Sequence, residues 1–203
     1  MPSTVSIQLY QPNKRLYYDT YQTSLGTVLL VGNEEAIVAL HFLESSVNKH
    51  LDVIEQRLER YPLCDPAIMQ THWQKIIHQK SYQLALQGTH FQQKVWEKLL
   101  TIPAGTRCSY QRLASLLGTP KSTRAVANAI GRNNIAYCIP CHRIVRSDGS
   151  LGGYRWRITI KEKLLIAETS NCTSSLWECH VNSVQGFNSK VNQEHFRSKL
   201  GLY

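Results

Sequence analysis

At Gly88 the hydrophobic pattern of this chain changes period, and that change restricts it to a small set of folds. Before it, strand-like and helix-like stretches alternate. Residues 25–31 are apolar and β-branched, Gly32-Asn33 offers a turn, and residues 36–43 are apolar again, which predicts two strands. Helical spacing follows at Leu51, Ile54 and Leu58 and at Trp73, Ile76 and Ile77, with Pro62 and Pro66 separating the two helices. Tyr82, Leu84 and Leu86 then alternate as one more strand.

After Gly88 the spacings are helical. Thr89 with Gln92 makes a capping box for a helix burying Phe91, Val95, Trp96 and Leu99, and Pro103-Ala104-Gly105 ends it. Ser109 caps a second helix with Leu113, Leu116 and Leu117 inside and Gly118 at its exit. A third helix spans roughly residues 123–131, with Val126 and Ile130 inward. Thr159 with Glu162 forms another capping box, opening a helix with Leu164 and Leu165 on its inner side. The pattern predicts an α/β N-terminal domain (a small sheet with helices) in residues 1–87, of which 1–16 are flexible. A mainly helical C-terminal domain with a helix-turn-helix follows in residues 88–168. Residues 169–203 are polar, with Trp177, Phe187 and Phe196 isolated, and read as an accessory or disordered tail.

The formal charge of +9 is confined to one part of the chain. Residues 88–168 hold thirteen Lys/Arg against four acids, and the remainder is balanced at ten of each. Scattered lysines and arginines commonly form a solubilising face. An excess restricted to one segment suggests an electropositive surface, for which a polyanion such as nucleic acid is the natural partner. The six cysteines are scattered and form no disulfide framework; Cys172, Cys179 and His180 fit no standard zinc spacing. The N-terminus carries no apolar leader and no apolar run is long enough to cross a bilayer. A reducing, cytoplasmic setting without a membrane partner is expected.

Three features point to chemistry, each with a plainer account beside it. Cys141-His142 follows Pro140, whose ring fixes the local backbone. Only a thiolate is a strong nucleophile, and an imidazole can draw off the thiol proton directly or through a water. Free cysteines are nonetheless mostly buried hydrophobes, and neighbouring side chains usually point apart. The second and third helices make a helix-turn-helix whose last helix carries Arg124 near its start and the small residues Ala125, Ala127 and Ala129, which would let its backbone approach a groove; an ordinary αα-hairpin reads the same way. Glu168 shares the apolar face of Leu164 and Leu165. An acid there needs a partner, such as a buried histidine, unless it lies at a frayed end and meets water.

Ile139-Pro140-Cys141-His142-Arg143-Ile144-Val145, with Ser109-Tyr110-Gln111, Thr123-Arg124-Ala125-Val126-Ala127 and Gly153-Tyr154-Arg155-Trp156, resembles the methylated-DNA–protein-cysteine methyltransferases (O6-alkylguanine-DNA alkyltransferases). The likeness is to the C-terminal half of bacterial adaptive-response proteins in particular; it is dense over residues 88–168 and looser over 17–87. The resemblance implies single-turnover repair of double-stranded DNA containing alkylated guanine, and of O4-alkylthymine, by transfer of the alkyl group to Cys141, carried out by a monomer that needs no metal or organic cofactor. His142 would be the base through a bridging water, and Glu168 would orient it. Asn133 would brace the active-site turn, and Tyr110 would help rotate the nucleotide and protonate guanine. Arg124 would fill the stack where the base leaves, on a helix contacting DNA through Thr123, Ala125 and Ala127. Tyr154, Ile144, Arg155 and Trp156 would line the substrate pocket, with Trp156 near its mouth favouring methyl over benzyl groups.

Asn134 stands where many members have proline, which predicts a softer turn. The cysteine-rich domain of full adaptive-response proteins has no counterpart here, so phosphotriester repair and zinc-dependent transcriptional control are not implied. The rival readings are a thiol hydrolase, which usually needs a distant histidine and an oxyanion hole, and a non-catalytic protein that recognises alkylated bases.

Overall fold

The computed structural model describes residues 5–170 and 172–177. Strands β1 (Val5–Leu9), β2 (Tyr17–Thr23), β3 (Gly26–Gly32), β4 (Ala36–Phe42), β5 (Leu63–Cys64) and β6 (Tyr82–Leu86) form one sheet in the order β1-β6-β4-β3-β2-β5. The β2-β3-β4 meander is antiparallel, whereas β1 and β4 flank β6 in parallel. Side chains alternate across β3: Val28 and Leu30 enter one core, and Leu29 and Val31 enter the other. The second core is closed by Leu51, Ile54 and Leu58 of helix α1 (Val47–Leu58). The first receives Met69, Trp73 and Ile76 of α2 (Pro66–Ile77) and runs on without a break into the helical half. Every residue of β4 is buried, as expected for a strand covered on both faces.

The helical half comprises α3 (His90–Leu100), α4 (Tyr110–Leu116), α5 (Thr123–Gly131) and α6 (Ile158–Thr169), with the short parallel pair β7 (Cys108–Ser109) and β8 (Ile144–Val145). Thr89 and Gln92 make the expected capping box, and the Ser109 hydroxyl accepts from the Arg112 amide at 3.0 Å. Gly118 turns the chain out of α4 at φ +72°, a conformation that suits glycine. The Trp96 indole donates to the Ala129 carbonyl at 2.9 Å, pinning α3 to α5. The sheet reaches the following turn directly: the Leu40 amide donates to the Asn134 carbonyl at 3.0 Å, and the Ala136 amide to the Leu40 carbonyl at 2.9 Å.

Six expectations need correction. Leu116, placed inside α4, is 52% exposed, and Leu113 and Ala114 face the core instead. Residues 5–9, placed in a flexible start, pair with β6 from Val5↔Tyr82 to Leu9↔Leu86; the alternation of Val5, Ile7 and Leu9 is a strand signal. Pro66 opens α2 at its first position, behind the capping carboxylate of Asp65, instead of separating helices. Thr159 makes no capping box, because α6 already begins at Ile158. Ala129 is buried against α3 and presents nothing outward. The tail is not all accessory: residues 172–177 pack on the body, with Trp177 2% exposed. Phe187, Phe196, Cys179 and His180 lie outside the described residues.

Candidate active site

Cys141 opens a 3-10 turn, Cys141–Arg143, that joins the seam beside the sheet to β8. The turn is braced from the end of α5. Asn133, fully buried, donates through Nδ2 to the carbonyls of Ile135 (3.3 Å) and Ile139 (3.2 Å) and to Cys141 Sγ (3.2 Å), while its Oδ1 accepts from the Ile135 amide (2.9 Å). One side chain thus holds the turn and touches the thiol. Asn134, where a softer turn was expected, sets its Oδ1 2.7 Å from His41 Nε2 of β4, a hydrogen bond across the seam.

Burial pushes the Cys141 thiol up to about 11, against the lowering effects of the Asn133 bond and of the positive charges of Lys161 and Arg155. At pH 7 roughly one molecule in ten thousand would then carry a free thiolate, so nucleophilic attack requires a base at hand. His142 is next to it and has no exposed surface. Its Nε2 lies 2.9 Å from Glu168 Oε1. Burial pushes the Glu168 carboxyl up, but the bonds and charges of His142 and Arg143 outweigh this and hold it at about 2. An ionised carboxylate can only accept, so the proton of the neutral imidazole sits on Nε2 and the lone pair on Nδ1. Nδ1 has no protein hydrogen-bond partner among the described residues, leaving it available as a base. Burial keeps the imidazole below its ordinary pKa although Glu168 pulls the other way, so it is neutral at neutral pH.

The apolar-face argument for Glu168 therefore finds its histidine, while the frayed-end alternative does not hold. Sequence reasoning missed two further charged residues of the site. Arg143 grips Glu168 through Nε (3.0 Å to each oxygen) and Nη2 (2.7 Å), and its Nη1 donates to the Ile102 carbonyl. Lys161, wholly buried in α6, donates to the carbonyls of Ile144 and Leu151 and, at 3.4 Å, of Gly153. It ties together the strand and loop that follow the turn, and burial lowers its pKa to about 8. A lysine in the middle of an apolar helix face was the available signal.

Beside α5 an open cavity of about 590 Å³ is lined by Tyr110, Gln111, Thr123, Arg124, Ala127, Arg146, Ser147, Gly152 and Gly153; no residue of the Cys141–Arg143 turn lines it, and Tyr110 is the lining residue that senses the Cys141 thiol. Three of the anticipated α5 residues are here, and Ala125 is exposed on the same helix. Gln111, Arg146, Ser147 and the two glycines were not anticipated. Burial and the neighbouring Cys141 raise the phenols of Tyr110 and Tyr154, so both remain protonated donors. Ile144 is buried in β8. The Arg155 guanidinium donates to the Asn133 carbonyl at 2.9 Å and lies 5.4 Å from the Trp156 ring centre. None of Tyr154, Ile144, Arg155 and Trp156 is among the cavity's lining residues; Trp156, only 3% exposed, packs edge-on behind Tyr154 at 5.5 Å and against His41 at 6.2 Å. Its assignment to the pocket mouth is withdrawn, because the ring is taken up by the seam.

Cys138 and Cys141 stand in a CxxC spacing that the view of six scattered cysteines passes over. Both are free thiols with partners on different elements, Tyr82 for Cys138 and Asn133 for Cys141. Among the described residues no cluster of three or more metal-ligating side chains occurs, and no helix is long and apolar enough to cross a membrane.

Comparison with known proteins bears on the whole arrangement. Residues 90–170 match the family described as "6-O-methylguanine DNA methyltransferase, DNA binding domain", and residues 16–77 match its "ribonuclease-like domain". A methylated-DNA–protein-cysteine methyltransferase of Methanosarcina barkeri is 37% identical over 158 residues, covering 77% of this chain and 99% of that protein. The bifunctional transcriptional activator/DNA repair enzyme Ada of Escherichia coli is 38% identical over 170 residues, which is 78% of this chain but 47% of Ada, so the chain spans about half of that relative. The crystal structure of Mycobacterium tuberculosis OGT in complex with DNA superposes with a TM-score of 0.65 at 32% identity, covering 80% of this chain and 99% of that one. This chain belongs to the 6-O-methylguanine DNA methyltransferase family.

Proposed function

We propose that the chain repairs double-stranded DNA by moving the alkyl group of O6-alkylguanine, methyl above all, irreversibly onto Cys141. The observation that carries this reading is a buried thiol held by Asn133 beside an imidazole whose free nitrogen is set by Glu168. His142 takes the Sγ proton as Sγ attacks the alkyl carbon. An S–C bond forms, the C–O6 bond breaks, and the electron pair stays with the guanine. A guanine anion leaves poorly, so Tyr110, protonated and at the cavity wall, supplies a proton to the ring as it departs. The proton held by His142 balances the one the guanine gains, and no cofactor is consumed. The thioether does not hydrolyse, so each molecule reacts once.

A lesion atom inside a duplex is out of reach, which requires the base to be flipped out at a cost of a few kcal/mol. The cavity beside α5 would admit it past Tyr110 towards Cys141, and exposed Arg124 would fill the gap. Thr123, Ala125 and Ala127 give α5 a low surface for close approach, and the charge excess of residues 88–168 suits a phosphate backbone. Tyr154, Ile144 and the backbone at Arg155 would contact the base. The alternative, recognition of alkylated bases without transfer, leaves the braced thiol and its base without a purpose.

Intact-protein mass spectrometry after incubation with a duplex containing O6-methylguanine tests the reading, with Cys141→Ser alongside. A gain of one methyl mass on Cys141, absent from the variant, is expected. Tight lesion-selective binding without mass gain would establish the recognition role instead.

A further inference from the structure

The segment 172–177 lies beyond the family match, which ends at residue 170, yet it reaches the back of the His142–Glu168 pair. It folds back at the end of α6, where the Cys172 amide donates to the Ala167 carbonyl at 3.0 Å. Two bonds then fasten it to the N-terminal half: Gln79 Nε2 to Thr173 Oγ1 at 3.1 Å, and Ser24 Oγ to the Leu176 carbonyl at 3.1 Å. These deliver Trp177 into the core. Its ring lies edge-on to Trp73 at 5.7 Å, beside Phe42 at 6.4 Å, and edge-on to Tyr137 at 4.5 Å.

Tyr137 connects this cluster to the chemistry. Its backbone is left-handed at φ +62°, a conformation unfavourable for a residue other than glycine. The ring it presents there is parallel to the His142 imidazole within 8°, with centres 6.2 Å apart. Its hydroxyl lies in the fields of Glu168 and Arg143. Tyr137 therefore walls the rear of the His142–Glu168 pair, and Trp177 backs that wall.

We propose that Tyr137 and Trp177 are positioning residues for His142, the tail acting as a strap that keeps water from the rear of the His142–Glu168 pair. The inference rests on His142 being the base for Cys141. A hydrogen bond to a charged carboxylate strengthens as water is excluded, and a dry wall holds the imidazole in one orientation. The groups facing His142 are Glu168 and Lys161 from α6, Arg143 from its own turn, and Tyr137. Burial is the largest influence on the imidazole, so admitting water should raise its pKa towards the ordinary value of 6.5.

The test is the single-turnover rate of methyl transfer from an O6-methylguanine duplex, measured with the full chain between pH 5 and 9. Wild type, Trp177→Ala, Trp177→Phe and Tyr137→Phe are compared, and duplex affinity is measured for each. Trp177→Ala is expected to react roughly tenfold more slowly at pH 7, the scale of a misoriented general base. Its acid limb should move to higher pH while duplex affinity is unchanged; both phenylalanine variants should stay near wild type. A Trp177→Ala protein that melts earlier but keeps the wild-type rate and pH profile would overturn the inference. If that variant does not fold, Trp177→Leu, which keeps an apolar side chain without the ring, is read by the same outcomes. Wild type that gains no methyl on Cys141 would overturn the proposed function itself, and this inference with it.

Discussion

Glu168→Gln tests the energetics of the site most directly. Glu168 receives His142 Nε2, Arg143 Nε and Nη2, and the Gly105 amide at 3.2 Å, with its side chain 1% exposed. A carboxyl held at about 2 in place of 4.5 corresponds to about 3 kcal/mol of stability at neutral pH, taking 1.36 kcal/mol per pH unit. Removing one partner of a buried ion pair costs about 3–5 kcal/mol by an independent route, and Gln can still accept one bond, which favours the lower end. For a chain of this size about 3 kcal/mol lowers Tm by roughly 6–12 °C. The pH dependence has a definite sign. A depressed carboxyl stabilises above its unfolded value and loses that contribution as pH falls through its folded value. The difference between wild type and Glu168→Gln should thus be full at pH 7 and shrink between pH 4.5 and 2. Urea unfolding of both proteins across this range measures it. A deficit under 1 kcal/mol at pH 7, or one of equal size at pH 7 and pH 2.5, would refute the reasoning.

Asn133→Ala removes three donated bonds and one accepted bond and should destabilise by about 2–4 kcal/mol; because the lost bond lowers the thiol pKa, alkylation of Cys141 by iodoacetamide should also slow, and an unchanged rate would contradict the brace. Burial lowers His41 to about 3 from 6.5, so its neutral form stabilises above pH 6.5 and that contribution is lost as pH falls towards 3. His41→Gln should accordingly show a flatter stability curve between pH 6.5 and 4, and parallel urea-midpoint curves would disprove the assignment. Arg124→Ala should slow repair of duplex DNA much more than reaction with a free O6-alkylguanine base, since only the duplex needs a filler for the vacated stack; equal losses would remove the wedge role.

Local chemistry was written plainly in the chain. The switch of period at Gly88, the capping residues Thr89 and Ser109, and the αL glycine at 118 each act within a few residues of themselves. The strand and helix assignments that rest on them therefore hold in the structure. The Cys141-His142 dipeptide and the misplaced acid Glu168 could be picked out for the same reason: one is adjacency, and the other is an unpaired charge on an apolar stripe. Partners distant in the chain could not be assigned. Arg143 and Lys161 read as two of thirteen surface cations until packing turned them inward, and Trp156 looked like a pocket residue until the seam enclosed it. Trp177 looked like a lone aromatic in a polar tail until Phe42, Trp73 and Tyr137 formed a place for it. The sequence by itself determined which segments form which elements, because backbone preference and side-chain period are local properties. Only the tertiary structure decided which charges meet, which thiol is braced and which face stays dry, because those depend on burial that no stretch of chain possesses alone.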